Sequence, residues 1–307
     1  MQTILGAGGA IGAQLAKELL QFDSAIRLVS RHPKKVNETD ELMPGDLTDK
    51  SFVEKAVEGS FIAYLTVGLE YKTKAWKEKW PVIMQNVIEA CKKHQTKLVF
   101  FDNAYMYDQD YLHNLTEETA VRPVSKKGKV RAEIVANLTA EMKSGNVQAM
   151  IVRASDFYGP NTRNSVMLET VYHKMKQEKS AIWLGNPAKI HSMTYVPDAA
   201  KATALLGNTP DAYQQIWHLP TEQEKITGKQ WIELFAKEMN SPVKYKPISG
   251  TLVRLIGLFV PLFRELSEMM YQNENDYFFN CDKFRKRFPE FKITGPEEGV
   301  REVVKAG

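Results

Sequence analysis

The sequence predicts a doubly wound α/β fold, built on a parallel sheet with a smaller C-terminal α+β lobe, and three observations carry that expectation. Short β-rich runs alternate with helical patterns through the first two-thirds of the chain, and parallel neighbours need such crossover connections. The first run, QTIL, passes directly into a glycine-rich turn and then a helical pattern, as the opening of a βαβ series does. The length, 307 residues with 43% hydrophobic content, supplies a core large enough for one such domain with an appendage.

The elements follow in order. QTIL reads as a buried strand, IGAQLAKELLQF as an amphipathic helix and AIRLVS as the second strand. SFVEKAVE is helical, FIAYLTVG a strand, VIMQNVIEACKKH a helix, KLVFFD a strand, AEIVANLTAEMK a helix and VQAMIVRA a strand. Beyond about residue 160 the alternation loosens. Helical patterns (VMLETVYHKMKQ, GKQWIELFAKEM) mix there with strand-like pieces (AIWLG, QIWHL, VKYKPI), and no low-complexity linker or repeat marks a boundary. The expected division is residues 1–160 as the dinucleotide-binding domain and 161–307 mainly as a C-terminal substrate lobe, with some segments returning to the first. Such a lobe closes over the carboxyl ends of the strands, where open α/β sheets bind ligands.

Charge and cysteine content narrow the classes. A formal net charge of +4 arises from 41 basic and 37 acidic residues spread along the whole length, so neither nucleic acid nor membrane is expected as a partner. Cys91 and Cys281 lie far apart without metal-ligand spacing and read as two thiols in a reducing compartment. No metal site and no Ser-His-Asp arrangement is read. The N-terminus MQTILGAGG lacks the zones of a signal peptide, which makes the cytoplasm the expected location. The apolar run TLVRLIGLFVPLF (251–263) contains Arg254 and Pro261 and is shorter than the roughly 20 residues a bilayer crossing needs. It reads as a helix packed over the core or a cleft, with an interfacial membrane helix as the alternative.

The turn itself is GAGGAIG, with Gly6, Gly9 and Gly12 three apart. Glycine there permits a tight turn, close approach of backbone to a pyrophosphate and close helix-strand packing, while the helix N-terminus offers free N–H donors. A Rossmann-type dinucleotide site is therefore expected, with Gly6, Gly8, Gly9, Ala10, Ile11 and Gly12 in the turn and Thr66 and Val67 after the strand FIAYL. The second strand should end beside the adenosine ribose, where an NAD site places a carboxylate. Ser30 and Arg31 stand there instead, followed by His32, Lys34 and Lys35, a set suited to a 2′-phosphate. The expected cofactor is NADP(H), with NAD(H) as the alternative. The alternative is a purely solvated loop, a reading that suits Lys34 and Lys35 more than Arg31.

These glycines, with GDLTD (45–49), VRASDFYGP (152–160) and HSMTYVPDAAKA (191–202), resemble the extended short-chain dehydrogenase/reductases of the NAD-dependent epimerase/dehydratase family. The likeness runs through nearly the whole chain, including CDKFRKRFPEFKITGPEEGVREVV. It implies that Asp46 and Leu47 lie near the adenine, that Tyr158 lies beside nicotinamide and substrate, and that the protein forms a homodimer through helices on one sheet face. Read without the family, GDLTD is a strand end followed by a helix N-cap at Thr48 or Asp49.

The family's acid/base device is a Tyr-x-x-x-Lys pair with an upstream serine or threonine. The lysine lowers the phenol's pKa and holds the nicotinamide ribose. Lys129, followed by Glu133, matches the lysine, but the tyrosine slot holds Ser125 and the upstream slot Asn103. The resemblance therefore implies an atypical member that keeps only the lysine. A serine hydroxyl is too short and too weak an acid to act for a phenol. Two roles stay open for Lys129: gripping the ribose, or a solvated lysine beside Lys126 and Lys127 on a helix capped by Ser125. Asn103 offers a hydrogen bond to a substrate carbonyl, and Tyr105 and Tyr158 are the candidate replacement acids. Where sugar-nucleotide enzymes of the family place an arginine for the diphosphate, this chain has His191. Tyr107, Trp183 and His218 complete an aromatic cleft set. The expected activity is reduction of a small carbonyl or enone substrate by a nonstandard proton donor; a noncatalytic NADP(H)-binding sensor is the alternative, and a sugar-nucleotide epimerase or dehydratase the third.

Overall fold

The computed structural model describes residues 1–162 and 165–307. In chain order the strands and helices are β1 (Gln2–Leu5), α1 (Ala10–Leu19), β2 (Ile26–Ser30), β3 (Glu41–Pro44), α2 (Lys50–Val57), β4 (Ile62–Leu65), α3 (Thr73–His94), β5 (Lys97–Asp102), α4 (Lys126–Lys143) and β6 (Ala149–Arg153). The second half adds β7 (Asp156–Tyr158), α5 (His173–Lys176), β8 (Ala181–Leu184), β9 (Met193–Tyr195), α6 (Val196–Gly207), β10 (Ile216–His218), α7 (Gly228–Glu238), β11 (Tyr245–Ile248), α8 (Gly250–Gly257), α9 (Pro261–Ser267), α10 (Met270–Glu274), α11 (Asp282–Arg287) and α12 (Pro296–Ala306).

The chain forms two compact units, and the division follows space rather than chain order. The first gathers Met1–Asn103, Lys127–Arg153 and Ala199–Leu219; the second gathers Ala104–Lys126, Ala154–Asp198 and Pro220–Gly307.

The first unit is built on a seven-stranded sheet in the order β10-β6-β5-β4-β1-β2-β3, with every adjacent pair parallel. This is the doubly wound architecture expected from the alternation of runs. β1, β4 and β6 are buried along their whole length, which is why QTIL, IAYL and AMIVR read as continuous rather than alternating patterns. Gln2 and Thr3 are polar exceptions on β1, and each is satisfied. Tyr64 donates to Gln2 Oε1 at 2.7 Å, Gln2 Nε2 donates to Asn208 at 3.0 Å, and the Thr3 and Ser60 hydroxyls lie 2.6 Å apart. The chain order reverses direction across the sheet at β1 and β4, so the crevice outside their carboxyl ends is the place for a ligand.

QIWHL, read as a strand-like piece, is β10 and extends the large sheet by pairing Trp217 with Val152. Two elements depart from expectation. VIMQNVIEACKKH is only the later part of α3, which starts at Thr73 and carries Pro81 inside it. The run 251–263 is not one packed helix but two short ones, α8 and α9, divided at Leu258–Val260 because Pro261 starts α9 at its first position.

The second unit has its own core, in which Tyr158, Trp183, Tyr195, Trp231 and Phe235 are buried together, and two small parallel pairs, β7 with β9 and β8 with β11. Its helix α7 carries a reciprocal cap: Thr227 accepts from the Gln230 N–H while Gln230 accepts from the Thr227 N–H. Among the described residues, no helix is long and apolar enough to cross a membrane.

Candidate functional site

The turn between β1 and α1 is fixed by its glycines. Gly6 has φ +110°, and a Cβ there would lie 2.4 Å from the Val67 backbone and 2.8 Å from that of Thr66. Only glycine meets both conditions. Thr66 and Val67 are thereby brought against the turn, and the Thr66 N–H donates to Leu5 O to hold them there. A Cβ on Gly12 would lie 2.7 Å from Ala7 Cα, so the start of α1 packs directly on the turn. Gly9 is the N-cap of α1, extended and without a side chain, and the first turn of the helix carries no acid. Its leading N–H groups are left to face an anion.

Ser30 closes β2 beside this turn. Its Oγ would be 3.7 Å from a Cβ on Gly8, and that oxygen is buried with no hydrogen-bond partner among the described residues. A buried hydroxyl without a partner costs about 1–3 kcal/mol, so its retention next to a glycine cradle fits a bound polar ligand. Arg31 is exposed at the adjacent position and close enough to lower the pKa values of both Asp46 and Glu70. The Asp46 carboxyl is held low first by the Thr48 N–H, then by the Thr48 hydroxyl and by the charges of Lys79 and Arg31. Leu47 is buried and its carbonyl accepts from the Asn86 amide at 3.1 Å, which ties the GDL loop to α3. The helix cap expected at Thr48 or Asp49 is Asp49, accepting from the Ser51 and Phe52 N–H groups.

Helix α4 resolves the lysines of SKKGK. Lys126 and Lys129 are exposed, while Lys127 is fully buried, so the alternative of a wholly solvated lysine run fails at Lys127. The Lys127 ammonium donates to Thr73 Oγ1 at 3.3 Å and lies 4.3 Å over the Tyr71 ring. One turn on, the Arg131 guanidinium sits 3.9 Å over Trp80 and 5.0 Å over Trp76 and pairs with Asp102 at 3.5 Å. Arg153 pairs with the other Asp102 oxygen at 3.2 Å. Burial pushes the Asp102 carboxyl up, and the two guanidiniums oppose that. The Asn103 N–H bonds this carboxylate, so the triad fixes the backbone at the end of β5, where Asn103 is half-buried. Lys127 and Arg131 escaped sequence reading because they occupy apolar slots of the helix. Their spacing of four puts both on one helix face, Lys127 over Tyr71 and Arg131 over Trp76 and Trp80, and that spacing was the available signal.

The second unit holds the other predicted residues except His218, which lies on β10 of the first unit, and it separates the two candidate tyrosines. Tyr158 is 1% exposed, packed on Tyr195 and Trp231 with ring centroids 5.2 and 5.0 Å away, and its hydroxyl presses against Gly299, where a Cβ would be 2.5 Å off. It belongs to an apolar core, and burial raises its phenol well above the ordinary value. Tyr105 is half-buried and belongs to a polar cluster: it raises the pKa values of Tyr271 and Tyr277. Tyr107, Trp183 and His218 are buried.

In that cluster His191 Nε2 lies 2.9 Å from Asp156 Oδ2, and the buried His191 ring packs on Tyr277 at 5.0 Å. Burial, then Tyr105, raises the Tyr271 phenol, while the Ser125 hydroxyl pulls it back. The Tyr271 oxygen is buried without a hydrogen bond of full geometry among the described residues. Sequence reasoning missed Tyr271 because nothing local marks it; it reaches Ser125 from 146 positions further along the chain. Among the described residues, no group of His, Cys, Asp and Glu is arranged to hold a metal ion.

The model of the NAD dependent epimerase/dehydratase family matches residues 3–219. The chain belongs to this family. Solved structures of similar fold include the UDP-glucose 4-epimerase of Thermus thermophilus complexed with NAD (16% identity, 100% of this chain and 98% of that one, TM-score 0.80). The UDP-glucuronic acid 4-epimerase of Bacillus cereus with UDP-glucuronic acid and NAD is similar at 14% identity (100% and 98%, TM-score 0.81). A dTDP-glucose 4,6-dehydratase double mutant from Streptomyces venezuelae, with NAD bound, is similar at 11% (100% and 96%, TM-score 0.81). No curated protein matches the chain. At these identities the likeness shows the fold, and it agrees with a nicotinamide dinucleotide as the ligand of the glycine turn.

Proposed function

We infer that this family member is an NADP(H)-dependent reductase of a small carbonyl or enone. The observation that carries the reading is the pairing of a complete dinucleotide cradle with Ser30 and Arg31, rather than a carboxylate, at the end of β2. When bound, the cofactor supplies the hydride. The α1 N-terminus with Gly6, Gly8, Gly9, Ala10, Ile11 and Gly12 would hold the pyrophosphate. Ser30 and Arg31 would take the 2′-phosphate, Asp46, Leu47, Thr66 and Val67 would border the adenosine half, and Lys129 would grip the nicotinamide ribose.

With Ser125 in the tyrosine slot, the proton must come from elsewhere. Tyr105, half-buried in the polar cluster of the second unit, stays a candidate, and Tyr271, whose buried hydroxyl faces Ser125, is a second. Asn103 would polarise the substrate carbonyl. A sugar-nucleotide reading has less support than the family's solved members suggest, because His191 is committed to Asp156. A diphosphate approaching that side chain would meet a carboxylate as well as an imidazole.

The test is fluorescence titration with NADPH and NADH, followed by NADPH oxidation across a panel of short aldehydes, ketones and enones. Tighter binding of NADPH by at least tenfold, lost in Arg31→Ala while NADH binding is kept, is expected together with turnover of a panel member. Equal loss for both cofactors removes the 2′-phosphate argument. The altered tyrosine slot also favours a second reading, a noncatalytic NADP(H)-responsive protein. Tight NADPH binding with no oxidation anywhere in the panel would select it.

A further inference from the structure

The polar cluster of the second unit holds something that reduction of a plain carbonyl does not require: an accessible carboxylate set among phenols. β7 and β9 pair with Asp156 opposite Met193, and His191 precedes that partner by two residues, so imidazole and carboxylate meet, Nε2 to Oδ2, at 2.9 Å. A backbone bridge joins His191 and Tyr277. The Tyr277 N–H donates to Ile190 O and the Ser192 N–H to Tyr277 O, which sets the Tyr277 ring against the imidazole at 5.0 Å. The Trp183 indole meets the same imidazole edge-on at 5.9 Å, and the Trp231 indole N–H donates to His191 O at 2.9 Å. His191, Trp183 and Tyr277 are all buried, whereas the Asp156 side chain is 39% exposed. The dyad therefore has a rigid back and an open front. His191 takes Oδ2, and Oδ1 has no hydrogen-bond partner among the described residues.

The phenols nearby share this character. The Tyr277 side chain is 1% exposed, its hydroxyl makes no hydrogen bond among the described residues, and after burial the Asp156 charge does most to raise its pKa. Burial raises the Tyr271 phenol as well, with Tyr105, Asp156 and Glu268 adding to the rise and Ser125 opposing it. Three phenols thus share one neighbourhood with two carboxylates. Among the described residues, no lysine or arginine pairs with Asp156.

This chemistry selects a cation. An ammonium at Oδ1 is attracted by the carboxylate and by tyrosine rings within reach, while an anion is repelled by Asp156 and Glu268. A neutral hydroxyl can bond the same oxygen but gains far less from the rings. A docked cation also prepares the acid. Carbonyl reduction is served by an acid with a pKa near the working pH, and a positive charge beside a phenol lowers its pKa. The substrate would bring to Tyr105 or Tyr271 the charge that a lysine brings to the tyrosine of the usual pair.

We propose that the substrate is a carbonyl compound bearing an ammonium group, bound by the open oxygen of Asp156 with the surrounding tyrosines as aromatic contacts. The carbonyl half rests on the reductase reading; the cation half rests on the Asp156–His191 dyad and its phenols. In the reaction the carbonyl carbon gains hydride and its oxygen a proton as NADPH is oxidised to NADP, and the ammonium is unchanged.

The experiment uses the full chain and two aldehydes of one shape, (trimethylammonio)acetaldehyde and tert-butylacetaldehyde, which differ in the charged nitrogen. NADPH oxidation is followed with each. Binding of tetramethylammonium chloride is compared with that of tert-butanol by saturation-transfer NMR, with and without NADPH. The cationic aldehyde should show at least tenfold higher kcat/KM, and tetramethylammonium should bind at least tenfold tighter than tert-butanol. Asp156→Asn, which keeps an acceptor for His191, should abolish both preferences, with an unchanged melting temperature showing that the variant folds. Tetramethylammonium that binds no better than tert-butanol, or as well to Asp156→Asn as to the wild type, overturns the proposal. So does turnover of the two aldehydes with equal kcat/KM. Binding of tetramethylammonium through Asp156 with neither aldehyde reduced supports the cation site and removes the reductase reading alone.

Discussion

Gly6→Ala and Gly8→Ala separate a turn that merely folds from a turn that binds. At Gly6 the new methyl meets two penalties. The left-handed backbone, φ +110°, costs an L-residue about 1–2 kcal/mol, and a carbon 2.4 Å from the Val67 backbone cannot be relieved by a rotamer change. The loop after β4 must move, which adds about 1–3 kcal/mol, as overpacking does. The sum is about 2–5 kcal/mol, or a fall in melting temperature of roughly 4–10 °C at about 2 °C per kcal/mol for a chain of this size. At Gly8 the methyl meets only Ser30 at 3.7 and 3.8 Å, an ordinary contact at an exposed position, so stability should stay within about 0.5 kcal/mol. That methyl nevertheless stands in front of the buried Ser30 hydroxyl, and NADPH affinity should drop by tenfold or more. The assays are urea unfolding and quenching of intrinsic fluorescence by NADPH. A Gly8→Ala protein that binds NADPH as the wild type does would refute the assignment of the Ser30 oxygen to the ligand. A Gly6→Ala protein with unchanged stability would refute the packing of Val67 on the turn.

Asp102→Asn should destabilise the protein by roughly 3–5 kcal/mol, because the Arg131 and Arg153 guanidiniums would be left buried without their shared anion; urea unfolding within about 1 kcal/mol of wild type would contradict the triad. Burial pushes the Cys91 and Cys281 thiols up from an ordinary value near 9 to about 12. A raised thiol pKa leaves stability intact below the unfolded value and removes it as pH rises from about 9 to 12, by about 1.4 kcal/mol per pH unit for each thiol. Native protein should therefore also resist thiol reagents at pH 8, and rapid labelling there would count against that burial. For the reductase, Tyr271→Phe should lower kcat by about 100-fold or more with NADPH affinity unchanged; full turnover would remove Tyr271 as the proton donor.

What was legible in the sequence was local. Strand, turn and helix at residues 2–19 announce themselves because the glycines, the caps and the apolar period all act within a few residues. β10 was legible as a strand but not its sheet, because Ile216–His218 is three residues long and its partner, β6, lies far back in the chain. The first part of α3, which has Pro81 inside the helix, was not read as helical. Yet that proline removes only one ladder bond, and Trp76 and Trp80, a turn apart and buried, hold the helix through it. The return of 199–219 to the first unit and of 104–126 to the second depends on long-range packing that no local pattern encodes. The polar cluster of Tyr105, Ser125, Asp156, His191 and Tyr271 draws on three separated segments for the same reason.

The lysines of SKKGK show how the structure turns an ambiguous run into an argument. At 100° per residue, Lys127 and Arg131 share one face of α4, and the fold accounts for both: each stacks on an aromatic ring, and Arg131 completes the Asp102 triad. Lys129 lies about 200° from Lys127 around the same helix, and its exposure means that neither core packing nor a buried ion pair requires it there. A lysine of that kind is replaceable by arginine, glutamate or glutamine at almost no cost to stability. If its role is the ribose, Lys129→Gln should leave unfolding unchanged within about 0.5 kcal/mol while NADPH affinity falls several-fold and turnover falls further. Lys127→Gln should do the reverse, weakening the fold through lost contacts with Thr73 and Tyr71. A Lys129→Gln protein that binds and oxidises NADPH at the wild-type rate would return this ammonium to the solvent.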